Sequence, residues 1–120
     1  MAVRAIRGAT QVDADERELV LDATRELVSA VMERNRLEHD AVISILFTAT
    51  PDLVSEFPAL AARELGLGGV PLMCATEIAV PHALPRVLRL MAHVETDRDR
   101  AAVQHVYLRG AVALRRDIAQ

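Results

Sequence analysis

From Val3 to Gly8 the chain alternates apolar and charged residues. Val3, Ala5 and the region around Gly8 fall on one side, Arg4 and Ile6 on the other. A period of two predicts a short strand, with Gly8 ending it and turning the chain. Val20, Ala23, Leu27 and Val31 then recur at helical spacing, predicting a helix through about Asn35 that Asp13 or Asp15 could cap. The run Ala41–Ala49 is short and β-branched, as a buried strand is, and Thr50-Pro51-Asp52 stops it. Phe57-Pro58 opens a second helix over 59–65, since proline in the first turn has no N–H to waste, and Gly66 closes it.

A third strand is expected over about Val70–Cys74 and a fourth over Pro85–Glu95. In the fourth, Leu88, Leu90, Ala92 and Val94 share one face while Arg89, Met91 and His93 point the other way. A final extended piece, 105–108, leads through Ala111–Leu114 to a polar tail from about residue 115. The order β-α-β-α-β-β-β predicts an α+β fold, a small mixed sheet with helices on one face. So small a sheet leaves an edge or a second face uncovered, which favours association into an oligomer.

The 120 residues fit a single domain, 1–120, and a hydrophobic content of 52% suffices for a core. Aromatic residues are only 2%, so the core must be aliphatic and each aromatic side chain is conspicuous. A formal charge of −3 argues against nucleic acid as the main partner. All 14 basic residues are arginine, so an arginine carries information only through its position. One cysteine forms no internal disulfide. The opening Met1–Arg7 lacks the pattern of a secretory leader, and the longest apolar run is far too short to span a bilayer. A cytoplasmic protein without membrane contact is expected.

The stretch Cys74–Leu90, C-A-T-E-I-A-V-P-H-A-L-P-R-V-L-R-L, sets one thiol, one carboxylate and two arginines among interior-like residues. No relay for nucleophilic catalysis accompanies Cys74. His39, His82, His93 and His105 lack metal-ligand spacing, and neither glycine-rich nucleotide motif occurs, so no metal and no cofactor are expected. Taken singly, Glu77 reads as a loop acid, Arg89 and Arg63 as solvated cations, and Tyr107 as a core ring. Taken together, Arg7, Cys74, Glu77, Arg89 and Tyr107 lie in or just beyond strands that one sheet can gather. Several cationic donors, one acceptor and a phenol suit a small organic anion bearing a hydroxyl group. Such a pocket serves binding, or a reaction needing electrostatics rather than proton transfer.

Six segments, in order, resemble the monofunctional AroH-class chorismate mutases: R-A-I-R-G-A-T (4–10), T-A-T-P-D-L (48–53), F-P-A-L-A-A-R-E-L-G (57–66), V-P-L-M-C-A-T-E (70–77), L-P-R-V-L-R (84–89) and H-V-Y-L-R (105–109). The resemblance covers nearly the whole chain. It implies the Claisen rearrangement of chorismate to prephenate, in phenylalanine and tyrosine synthesis by the shikimate pathway. It further implies a homotrimer resembling a pseudo-α/β barrel, with active sites between subunits. By the same resemblance Arg89 donates to the ether oxygen and a carboxylate of the substrate. Arg7 and Tyr107 hold the enolpyruvyl carboxylate, and Glu77 and Cys74 contact the ring hydroxyl. Phe57, Ala59, Arg63 and Leu114 line the pocket or its mouth, Met73 precedes the cysteine there, and Arg115 is a basic tail residue nearby.

The chain departs from that pattern modestly. Leu60 stands where some members carry lysine, Ala5 where glycine is common, Met73 where a threonine can occur, and Arg116 where proline is frequent. Two other readings fit the composition. One is a non-catalytic domain sensing a small anion or amino acid. The other is a RidA-type imine deaminase, which lacks the Cys74, Glu77, Arg89 and Tyr107 set.

Overall fold

In the computed structural model, which describes residues 1–115, the N-terminal alternation continues past Gly8, and β1 spans Ala2–Gln11. Gly8 does not turn the chain. It permits close packing, since a Cβ there would stand 3.2 Å from the side chains of both Leu27 and Leu90. It therefore lies on Ile6's side of the strand, not with Val3 and Ala5.

The first helix, α1, spans Arg17–Arg34 with Glu16 at the capping position and no side-chain cap. The expected aspartate cap is absent because Asp15 is used elsewhere. Its carboxylate accepts the backbone N–H groups of Val54 and Ser55, both at 3.1 Å, and ties the loop before the second helix to the start of the first. Donation from Ser55 and Val54, against the opposing effect of burial, holds that carboxyl below its usual range.

Strand β2 spans Val42–Ala49, and α2 spans Pro58–Ala62 with proline in its first turn. The helix then widens through Arg63–Leu67, where Gly66 takes φ +97°, a conformation that glycine adopts without strain. Strands β3 (Leu72–Thr76), β4 (Val87–Thr96) and β5 (Val106–Tyr107) follow, and Arg109–Leu114 forms tight 3-10 turns. Relative to the expected ranges β3 is shifted two residues onward, which brings its end next to Glu77.

The five strands form one mixed sheet in the order β3-β2-β4-β1-β5. The central three pair antiparallel, and each outer strand runs parallel to its neighbour. Helices cover one face, as the pattern predicted. Ile6, Ile45, Phe47, Leu90, Ala92 and Val94 pack there against Leu27, Val28 and Val31 of α1 and Ala59 and Ala62 of α2. The opposite face is largely open: Val3 is 58% exposed, Leu46 39% and Met73 67%. Only at one end is it covered, where Ala9, Tyr107 and Ala111 are buried together with Leu114 against them. Among the described residues no helix is long and apolar enough to cross a membrane.

Candidate active site

The alternation of β4 turns Arg89 onto the open face, in register between Thr48 of β2 and Ala9 of β1. Glu77 follows the last residue of β3, and its N–H donates to the Ala49 carbonyl at 2.9 Å, carrying the parallel pairing one residue further. The carboxylate is thereby brought to the guanidinium. Arg89 Nε donates to Oε2 at 2.8 Å and Nη2 to Oε1 at 2.6 Å, while Thr48 Oγ1 donates to Oε2 at 2.7 Å. A planar fork matched to a planar carboxylate is the strong geometry for this pair.

The Glu77 side chain is only 13% exposed, and that of Arg89 49%. Burial opposes the charge on Glu77, but the donations from Arg89 and Thr48 outweigh it and hold the carboxyl below its ordinary range. The hydrogen bonds to Glu77 in turn push the Arg89 guanidinium further up against the effect of burial. Both groups therefore stay charged at neutral pH.

This pair lies in a cleft of about 560 Å³, whose lining includes Arg7, Tyr107, Leu46 and Ile78. The Tyr107 ring packs on Ala9 and Ala111, with 4% of the residue exposed. Arg7 is anchored through its backbone, whose N–H donates to His105 Nδ1 at 2.9 Å. Burial, then the charges of Arg7 and Arg115, hold the His105 pKa down, so the ring stays neutral and Nδ1 keeps the lone pair that bond needs. Leu114 packs against the cluster of Ala9, Tyr107 and Ala111, and neither it nor Arg115 is among the residues lining the cleft.

The remaining residues selected from sequence lie elsewhere. The parallel register aligns Cys74 with Phe47 and Met73 with Leu46, so the thiol turns to the helix side and the thioether to the open face. Cys74 is exposed, not packed in the core. With Phe57, Ser55 and Pro58 it lines a second cleft of about 350 Å³. Thr76 borders both clefts, which open on opposite sides of the end of β3. Phe57 is 67% exposed there, an aromatic ring the core does not use. Ala59 is buried in the core and Leu60 is half-buried, whereas Arg63 is exposed where the helix widens. Arg116 lies outside the described residues.

Thr48 escaped the sequence reading. Its only signal is the register that sets it opposite Arg89. Among the described residues no group of three or more metal-ligating side chains is disposed to hold a metal. The first cleft offers two guanidiniums, a phenol and an oriented carboxylate on a partly apolar wall. It suits an anion with a hydroxyl group.

A family model described as chorismate mutase type I matches residues 3–118. Among characterised relatives, chorismate mutase AroH of Thermus thermophilus is 47% identical over 117 residues, covering 97% of this chain and 96% of that protein. Chorismate mutase AroH of Bacillus subtilis (strain 168) is 41% identical over 120 residues, covering 99% and 94%. A solved chorismate mutase from Clostridium thermocellum superposes with a TM-score of 0.90 at 46% identity, covering 91% of this chain and 97% of that one.

Proposed function

Because the chain belongs to the chorismate mutase type I family, we infer that it rearranges chorismate to prephenate in the open-face cleft, with Arg89 as the principal catalytic group. The observation that carries this reading is the bidentate Arg89–Glu77 pair, set beside Arg7 and Tyr107 in one cleft. The rearrangement is pericyclic and needs neither acid, base nor nucleophile. As the C–O bond lengthens, negative charge gathers on the ether oxygen. A guanidinium already aimed at that oxygen stabilises the transition state more than the ground state.

Glu77 engages Nε and Nη2. A guanidinium has five N–H donors, so Nη1 and the second hydrogen of Nη2 remain to meet the substrate. Arg7 and Tyr107 hold the enolpyruvyl carboxylate, and Glu77 accepts from the ring hydroxyl. Together they select a compact conformer with the reacting carbons close.

We further propose a homotrimer whose sites form between subunits. Three features support it. The open face exposes Val3, Leu46 and Met73. Strand β3 lies at the edge of the sheet. Of the residues the family resemblance assigns to one site, Arg7, Glu77, Arg89 and Tyr107 line one cleft here and Phe57 and Cys74 another, and a neighbour's Phe57–Cys74 surface can complete the first. A neighbour over the cleft also removes water from Arg89, which strengthens its field. A cytoplasmic location accords with the exposed free thiol of Cys74, which survives best in a reducing compartment.

Purified protein is expected to consume chorismate, seen as loss of its ultraviolet absorbance. A protein that binds chorismate and leaves the absorbance constant would be a sensing domain, and the reading would fall. Cys74→Ser is expected to lose less than about tenfold in kcat/KM, the scale of one weakened hydrogen bond. Complete inactivation would instead make the thiol a nucleophile.

A further inference from the structure

Glu77 receives three hydrogen bonds, and only two come from Arg89. The third, from Thr48 Oγ1 at 2.7 Å, falls on Oε2, the oxygen that also takes Arg89 Nε. Thr48 lies in the sheet, where its half-buried side chain is fixed by strand register opposite Arg89. Glu77 lies just past β3, at the head of the exposed loop that carries Ile78 and Val80. A rigid element is thus gripping a residue at the start of a loop.

We propose that Thr48 is a positioning residue for the rearrangement: its hydroxyl anchors Glu77 Oε2, and Glu77 in turn sets the in-plane orientation of the Arg89 fork. This rests on the assignment of Glu77 and Arg89 to the active site. Without the Thr48 donor, Oε2 faces Arg89 Nε alone, and the carboxylate is free to rotate about its terminal torsion, which is broad for glutamate. The guanidinium turns with it. Misaiming a donor by a fraction of an ångström weakens the contact made only in the transition state. A β-branched side chain suits the task because its χ1 is stiff. Valine keeps that shape and removes the hydroxyl.

Thr48→Val is expected to lower kcat/KM about tenfold, the scale of one charge-assisted hydrogen bond. Thr48→Ser, which restores the donor, is expected to recover most of that loss. The acid limb of the kcat/KM profile should also move to higher pH in Thr48→Val. The carboxylate loses a donor that favours its ionised form, so it takes up a proton sooner as pH falls. A merely structural role lowers the folded fraction and leaves the position of that limb unchanged. In a Glu77→Gln background the same substitution should have little further effect. Wild-type kinetics and an unshifted acid limb in Thr48→Val, with Glu77→Gln strongly impaired, overturn the proposal alone. Wild-type turnover in Glu77→Gln overturns the assignment of the site itself.

Discussion

Arg89→Ala is expected to leave a folded protein that has lost at least about 10²–10³ of kcat, or roughly 3–4 kcal/mol, by comparison with removal of one oxyanion donor. The fold should survive because the guanidinium faces the open side of the sheet, about half exposed, and packs in no core cluster. The substitution does leave Glu77 partly buried with Thr48 as its remaining donor. A small loss of thermal stability should accompany the loss of turnover, so both need measuring. Unchanged circular dichroism with near-wild-type kcat would falsify the role assigned to this residue.

Arg89→Lys discriminates further. An ammonium restores the charge but not the fork, which here gives two donors to Glu77 while keeping others for a ligand. If charge alone mattered, lysine would rescue most of the activity. The geometry makes most of the defect persist.

How far this site was legible in the chain depended on the range of the interactions involved. Leu88, Leu90, Ala92 and Val94 declared their face through a period of two, and Pro58 declared a helix start, because each signal is local. Gly8 misled for a physical reason. Glycine both turns chains and admits close neighbours, and only the approach of Leu27 and Leu90 decides which applies. Asp15 misled similarly, since its carboxylate accepts from backbone 39 and 40 residues away rather than from its own helix.

The roles of Arg7, Glu77, Arg89 and Tyr107 came from family resemblance, whereas their common cleft arises from strand order. No local pattern encodes the β3-β2-β4-β1-β5 order that sets Thr48 beside Arg89 and Cys74 across the sheet from both. Thr48 was missed for that reason.

Leu46→Asp is expected to break the proposed trimer. Leu46 sits centrally on the open face, in register with Met73 of β3 on one side and Met91 of β4 on the other. In an isolated chain it is already 39% exposed, so a carboxylate there stays hydrated and the fold tolerates it. Under a neighbouring subunit the same carboxylate is desolvated beside two methionines, a cost that the Arg7 and Arg89 guanidiniums lining the same cleft offset only in part. The expected product is a folded monomer by sedimentation velocity, with activity falling along with the mass because each cleft loses its second wall. Leu46 also borders the cleft, so the mass, not the turnover, decides the matter. Val3→Asp, on the same face but outside that cleft, should act in the same direction. If both variants sediment as trimers, this face is not the one that neighbours cover, and the separate Cys74 and Arg89 clefts need another explanation.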